Sequence, residues 1–189
     1  FNCTTRNTTC FDENGKTIVN VPIGNITTNT NWTNDKLYVL QGPTFVTDSA
    51  RLTIEHGTII KGVTGLPPGS VAALTITRNS QIYALGDSCC PIIFTAQTDN
   101  VNDPNDLGRS DRGLWGSLLI LGNAPINGTV TPPEICATNF IEGLTPSPLT
   151  QYGGCDAFDN SGIVRWVQLK HGGSIIGAAN EINGLTMGG

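Results

Sequence analysis

The chain has 189 residues, a net charge of −5, only 13% charged residues, 23 glycines and 11 prolines. Its basic residues are scattered singly, and no apolar run approaches the about 20 residues that cross a bilayer, so we expect neither a nucleic-acid partner nor a membrane span. Abundant Thr, Val, Ile, Gly and Asn, with few strong helix formers, predict an all-β protein.

The first 35 residues are polar and rich in Asn and Thr, and only the stretch TIVNVPI within them is typical of a strand. We therefore separate residues 1–35 from the rest of the chain and predict an irregular N-terminal segment. A cap, a flexible arm and a glycosylated spacer all fit this composition.

From Lys36 onward the chain becomes a series of short apolar runs, each bounded by Gly, Pro, Asn, Asp or Ser. The triplet LTI occurs at Leu52 and again at Leu74, 22 residues later, and Ile59 and Ile82 lie 23 residues apart. A period of roughly 20–25 residues that is built from short strands is typical of a β-solenoid, in which each turn of the coil buries its apolar side chains by stacking on its neighbours. Residues 36–189 are therefore predicted to form a β-solenoid with loop insertions.

Two polar stretches interrupt this coil, at residues 97–113 and 124–162. Loops longer than about 15 residues are uncommon in compact domains, whereas a solenoid carries insertions as loops on one face. We interpret both stretches as inserted loops, after which IVRWVQLKHGG, SIIGAANEI and NGLTMGG resume the coil.

The cysteine count is even, and no CxxC or Cys/His grouping suggests zinc. The six cysteines are Cys3, Cys10, Cys89, Cys90, Cys136 and Cys155. We predict disulfides, and with them an extracellular or cell-surface location. Cys3–Cys10 and Cys136–Cys155 are the local pairings, and the adjacent Cys89 and Cys90 are expected to reach different loops because a vicinal bridge is strained.

Five Asn-x-Ser/Thr sequons mark candidate glycosylation sites. They are Asn2, Asn7, Asn25, Asn31 and Asn127. Covalent glycans are thus expected partners of the chain, concentrated in its first 33 residues.

Four ordered motifs resemble those of large secreted proteins that are abundant in Bacteroidota: LTIEHGTIIKG, WGSLLILGNAPING, YGGCDAFDNSGIVRWVQLKHGG and NEINGLTMGG. The resemblance covers residues 25 to 189 and implies a right-handed parallel β-helix on a secreted or surface-exposed protein, without catalytic residues to carry over. The chain departs from that pattern at Cys155, which replaces an Asn, at Cys89 and Cys90, and at TMGG, where relatives continue through further coils. We expect either a fragment or a coil end that something else covers.

No residue set predicts catalysis or a cofactor. The acidic loop offers Asp99, Asp103 and Asp106 as weak Ca²⁺ ligands, because hard oxygen donors suit that ion, although the same residues are ordinary turn formers. Asp156 and Asp159 are expected to shape a turn rather than to form a catalytic pair.

The two histidines, His56 and His171, each precede a glycine and lack a nucleophile motif, so we interpret them as turn or surface residues. We therefore expect a protein that is not an enzyme.

The leading functional hypothesis is an extracellular structural glycoprotein, a disulfide-stapled β-helix that associates with itself end to end into a fibre or surface layer, with possible exchange of the N-terminal arm. The alternatives are a β-helix that binds or cleaves polysaccharide and a cell-surface adhesin that uses loop 124–162.

Overall fold

The computed structural model describes residues 12–177 and 180–189. Within these ranges every regular element is a β-strand, and no helix is long and apolar enough to cross a bilayer. In chain order the strands are β1 (Thr17–Val21), β2 (Gly24–Ile26), β3 (Thr30–Trp32), β4 (Lys36–Leu40), β5 (Pro43–Val46), β6 (Arg51–Ile54), β7 (Ile59–Gly62), β8 (Ala73–Ile76), β9 (Gln81–Leu85), β10 (Ile92–Ala96), β11 (Ser117–Leu121), β12 (Asn139–Phe140), β13 (Gln151–Tyr152), β14 (Gly162–Arg165), β15 (Val167–Leu169), β16 (Ile175–Gly177), β17 (Asn180–Glu181) and β18 (Leu185–Gly188).

Three parallel sheets form the walls of a coil. Sheet A has the order β1-β4-β7-β10-β15, sheet B has the order β2-β5-β8-β11-β18, and sheet C has the order β3-β6-β9-β14. Each successive turn of the chain, here called a rung, adds one strand to each sheet, until the fifth rung adds β15 and β18 only. The chain is therefore a right-handed parallel β-helix, which confirms the predicted fold class.

The first rung consists of β1, β2 and β3, and these strands pair in parallel with β4, β5 and β6. Thr17 is the register partner of Lys36, and Thr30 is the register partner of Leu52. The coil thus begins at Thr17, inside the segment that the sequence had set apart as residues 1–35, because the polar Asn and Thr side chains there lie on exposed positions of real strands.

The two LTI triplets, whose spacing suggested the period of the coil, do not stack on each other. Leu52 in sheet C pairs with Ile82, and Leu74 in sheet B pairs with Thr44 on one side and Leu118 on the other. The rung of about two dozen residues does exist, since Leu37 pairs with Ile59. The following rung is longer because residues 63–72 form an unrecognised insertion between β7 and β8.

Alternate residues of each strand point into the coil and stack in columns, as the pleat of a strand requires. The interior is almost entirely aliphatic and aromatic, and each fully buried side chain of this kind contributes about 1.5–3 kcal/mol. The largest fully buried side chains of the interior are Trp115, Phe94, Leu40, Leu52, Ile54, Ile60, Leu74, Ile76, Ile82, Ile92 and Leu118.

Insertions cover the outer faces of two sheets and leave the third open. Residues 97–116 lie over sheet A, where Val101 packs on Leu37, Val39 and Ile59. Residues 122–161, with the β12–β13 pair, lie over sheet B, and so do residues 170–177 and 180–184, with the β16–β17 pair. Leu119 belongs to a second apolar cluster on this face. The predicted loops at 97–113 and 124–162 coincide with two of these segments.

Candidate functional site

The interior of the coil is uncovered at the C-terminal end of sheet B. One inward column runs through all five strands of this sheet. Its members are Ile26, Val46, Ile76, Ile120 and Met187. Ile120 is 7% exposed, whereas Met187 is 71% exposed. In rung 4 the inward side chain of this column is buried in the core. In rung 5 the equivalent side chain is exposed to solvent at the end of the coil.

A neighbouring column and sheet C repeat this pattern. Leu185 is the register partner of Leu118, yet it is 40% exposed while Leu118 is fully buried. In sheet C, Val164 follows Ala84 in an inward column and is 39% exposed, while Ala84 is fully buried. Three inward columns thus end in apolar side chains that no further rung covers in the described part of the chain.

A hollow of about 470 Å³ lies between the ends of sheets B and C. Its walls include Ile82, Ile120, Val164, Leu185 and Met187. Within the described residues sheet C has four strands and sheets A and B have five, so no strand of sheet C covers the core at this hollow.

The same end of the coil also presents main-chain N–H and C=O groups beside the apolar side chains. The strands β14, β15 and β18 are the terminal strands of their sheets, and the outer edge of a terminal strand presents N–H and C=O groups that can template another strand. Trp166, in the turn between β14 and β15, is half exposed and adds aromatic surface to the same rung. We call β14, β15, β18 and Trp166 the terminal surface.

The predicted Ca²⁺ ligands are not brought together as a metal site. Asp99 is 1% exposed, accepts a hydrogen bond from the Thr95 hydroxyl and pairs with Lys170 Nζ at 2.7 Å. Asp103 accepts from the Asn105 N–H at 2.9 Å, so it shapes its own turn. No group of three or more His, Cys, Asp or Glu side chains is arranged to hold a metal ion in the ranges that the structure describes.

Asp106, the third candidate ligand, also acts on the backbone. Its carboxylate accepts hydrogen bonds from the N–H groups of Asn100 and Leu107. These bonds hold the pKa of Asp106 below its ordinary value, and the bond from Asn100 has the largest effect. The carboxylates of this loop are used to fold it over sheet A.

The DAFDNSG segment is a turn built by its own side chains. Asp156 accepts from the Phe158 N–H, Asp159 accepts from the Ser161 hydroxyl, and Asn160 accepts from the Gly162 N–H. The bonds of Asp156 and Asn160 are Asx-turn bonds of the kind that the sequence suggested, and the Asp159 bond is a side-chain contact within the same turn. The segment reverses the chain into β14.

The histidines lie in turns. His56 is exposed in the turn before β7, and His171 follows β15 with a positive φ of 57° while its Nδ1 contacts the Asp111 carbonyl oxygen. The two residues belong to different parts of the coil, as the turn interpretation predicted.

Cys136 and Cys155 form a disulfide with a Cα–Cα distance of 5.4 Å, which closes the long insertion over sheet B. This is one of the two local pairings that the sequence suggested. Cys89 and Cys90 are both disulfide-bonded, and the proposed Cys3–Cys10 pairing lies outside the described residues. The disulfides support an oxidising, extracellular setting.

Three of the five sequons lie in the described ranges, and all three asparagines are exposed. Asn25 is on the outer face of sheet B, Asn31 is on the outer face of sheet C, and Asn127 is in the long insertion. Asn2 and Asn7 lie outside the described residues.

The aromatic residues give little support to a sugar-binding cleft on the open sheet. Trp32 and Trp115 are buried in the core, Trp32 by stacking on Tyr38 at 4.7 Å between ring centroids. On the outer face of sheet C, the Arg51 guanidinium covers the Tyr83 ring at 4.7 Å.

A family model for the pectate-lyase-like beta helix domain matches residues 24–189. The chain belongs to this pectate-lyase-like β-helix family. The match begins inside the first rung and runs to the last strand, so it agrees with the coil that the strand pairings define. Neither the search of curated proteins nor that of solved structures gave a match.

Pectate lyases are enzymes, so membership of the pectate-lyase-like β-helix family does not by itself decide between a catalytic and a structural member. Within the described residues, the surface with the most unusual physical properties is the terminal surface. Sequence reasoning noted that NGLTMGG is strand-like, but it did not identify Leu185 and Met187 as inward residues. Their alternation in L-x-M was the available signal.

Proposed function

We propose that this pectate-lyase-like β-helix is an extracellular structural glycoprotein whose terminal surface stacks on another copy, so that repeated contacts build a fibre or surface layer. The observation that carries the proposal is the inward column that ends in exposed Met187 above buried Ile120. A resemblance to secreted proteins of Bacteroidota and the disulfides both favour the extracellular setting.

The opposite end of the coil offers a suitable partner surface. The strands β1, β2 and β3 are terminal in the described parts of sheets A, B and C, and Ile23, in the turn between β1 and β2, is exposed. Because all sheets are parallel, β1 of one copy can follow β15 of another with the same strand direction, and β2 can follow β18. A head-to-tail contact of this kind does not close on itself and therefore gives a filament.

At such a junction sheet C needs an additional segment, because its described strands number four and those of sheets A and B number five. A segment of the neighbouring copy would fill the hollow of about 470 Å³ beside Met187. The sequence predicted an exchange of the N-terminal arm between copies, and residues 1–11 of that arm lie outside the described residues.

The magnitudes favour an association that depends on concentration. Val164, Leu185 and Met187 are 39%, 40% and 71% exposed, so covering them contributes only that part of the about 1.5–3 kcal/mol of a fully exposed side chain, roughly 2–4.5 kcal/mol in all. Immobilising a partner costs an estimated 4–15 kcal/mol. The apolar contribution lies at or below this cost, so stable association also requires ladder hydrogen bonds at β15 and β18.

Electron microscopy of the purified, secreted chain at increasing concentration tests the proposal. The wild type should form filaments, and Met187→Glu should prevent them because a carboxylate would be buried without a partner. Phe158→Glu is the matched control, since Phe158 is 93% exposed in the long insertion and should leave filaments intact. Strictly monomeric wild-type protein, or filaments that persist in Met187→Glu, would contradict the proposal.

A second candidate function is adhesion through the long insertion. Ile135 and Phe158 are large apolar side chains that are almost fully exposed there, and such residues are typical anchors of protein interfaces. If this candidate holds, Phe158→Glu and Ile135→Glu abolish binding to a cell surface while filament formation persists.

A further inference from the structure

A groove of about 360 Å³ lies on the outer face of sheet B, away from the terminal surface. The insertion at 63–72 forms one wall, and the insertion at 122–161 forms the other. The floor and rim include Phe45, Val71, Thr75, Leu119, Thr145 and Ser147. Its volume is within the range of ligand-binding sites, which begins at about 300 Å³.

The lining of this groove is uncharged. No Asp, Glu, Lys, Arg or His is among the residues that line it. This combination of an aromatic ring, aliphatic side chains and hydroxyl groups suits a neutral sugar. The apolar face of the sugar packs on the ring, and its hydroxyls form hydrogen bonds with Thr and Ser. An ionic ligand would be buried there without a counter-charge.

A glycosylation sequon lies at the start of the same outer row. The row contains Asn25, Phe45, Thr75 and Leu119, which are register partners on β2, β5, β8 and β11. Asn25 is exposed and begins the sequon Asn25-Ile26-Thr27. Since neighbouring strands are about 4.8 Å apart, the Asn25 amide is one strand away from Phe45 at the mouth of the groove.

We propose that the glycan attached to Asn25 packs along this row, with its first sugar stacked on Phe45 and its following sugars in the groove. The proposal rests on the glycoprotein part of the proposed function and assigns a structural role to one glycan. The first sugar covers the Phe45 ring, which is partly exposed, whereas Thr75 and Leu119 further along the row are already buried by the protein. None of Asn25, Asn31 and Asn127 lines the groove itself, but Asn25 is the register partner of Phe45 at its mouth, whereas Asn31 is on the outer face of sheet C.

The test uses the full chain secreted from a eukaryotic host that attaches N-glycans. The folded protein is treated with an amidase that releases N-glycans, and glycopeptide mass spectrometry follows each site over time. Aromatic stacking of about 0.5–1.5 kcal/mol corresponds to roughly a two- to tenfold difference. Release at Asn25 should therefore be slower than release at Asn127 by that factor. Phe45→Ala should remove the difference, while Tyr83→Ala, an aromatic residue of sheet C, should preserve it.

A second measurement does not depend on the folding of Phe45→Ala. Thr27→Ala removes the Asn25 sequon, and Thr129→Ala removes the Asn127 sequon. A contribution of about 1 kcal/mol shifts the thermal midpoint of a chain of this size by about 2–4 °C. Thr27→Ala should lower the midpoint by that amount, whereas Thr129→Ala should change it by less than about 1 °C.

Equal release at Asn25 and Asn127, equal midpoints of the two Thr variants, or an Asn25 that stays unoccupied would each overturn the inference. Filaments of the same preparations report separately on the terminal surface. A failure of the glycan inference is therefore distinguishable from a failure of the proposed fibre.

Discussion

Lys61 Nζ lies 2.5 Å from Glu13 Oε2, and both side chains are largely buried on the outer face of sheet A. The same ammonium group donates a hydrogen bond to the Asp99 carbonyl oxygen at 2.6 Å. Glu13 precedes the first rung, Lys61 is in the third, and Asp99 begins the insertion after β10. One cation therefore joins three segments that are distant in sequence.

Replacement of Lys61 by an uncharged side chain of similar length should destabilise the fold strongly. Lys61→Met leaves a buried Glu13 carboxylate without its partner, and removing one member of a buried pair costs about 3–5 kcal/mol. Urea unfolding should show this loss. Lys36→Met, at the start of β4, is the control and should change stability by less than about 0.5 kcal/mol.

The double variant Lys61→Met with Glu13→Gln separates the ion pair from simple packing. Because both charges are then absent, its free energy of unfolding should exceed that of Lys61→Met alone. Equal stability of the single and the double variant would show that the carboxylate is already solvated.

Calcium should not stabilise the acidic loop. Asp99, Asp103 and Asp106 already accept hydrogen bonds from Thr95, Asn105, Asn100 and Leu107. A bound ion would raise the thermal midpoint in proportion to its occupancy. We expect a change of less than about 1 °C between excess Ca²⁺ and a chelator. A rise that saturates with Ca²⁺ concentration, and that Asp103→Asn removes, would restore the metal-site hypothesis.

Acid should loosen the turn that carries Cys89 and Cys90. Asp87 accepts hydrogen bonds from the Cys90 and Cys89 N–H groups at 2.7 and 2.8 Å, and these hold its pKa below the ordinary value of 3.8. A carboxyl whose pKa is lowered by folding contributes stability above its unfolded pKa and loses that contribution as pH falls through the folded pKa.

The thermal midpoint should therefore be steady above about pH 5 and decline below about pH 4. In Asp87→Asn the amide oxygen still accepts a hydrogen bond but does not titrate, so the decline should be smaller. An identical acid decline in wild type and Asp87→Asn would assign the effect to other carboxyls.

Gly162 should tolerate no side chain. Its φ is +114°, and a Cβ there would lie 1.9 Å from the Ile82 carbonyl oxygen. Gly162→Ala should therefore lower the yield of folded protein or shift the unfolding midpoint severely. Gly184→Ala is the control, because a Cβ there meets no atom within 4 Å. Similar stability of the two variants would contradict the sheet C register.

The class of fold could be predicted from the sequence, because short apolar runs and turn residues recur along the chain. That pattern is the same whatever pairs of strands stack on each other. The stacking itself could not. Leu52 and Leu74 share the LTI pattern and a plausible spacing, yet the insertion at 63–72 moves Leu74 into another sheet. Period alone does not distinguish one wall of a three-sided coil from the next.

The surfaces were predictable only in part. The insertions were visible as polar stretches, and the exposed sequons followed from composition. The burial of Lys61 was not visible, because an outward position on a strand becomes buried when a distant insertion lies over it. The groove around Phe45 likewise depends on two insertions that meet only in the folded chain.

The axial repeat of the filament tests the central claim most directly. Five rungs at the 4.7–4.9 Å spacing of neighbouring strands give about 24 Å per subunit. Helical reconstruction from electron micrographs should therefore show a rise of about 24 Å, with sheets A and B continuous across each junction. A junction that buries the outer face of a sheet and leaves Met187 in solvent would contradict stacking through the terminal surface.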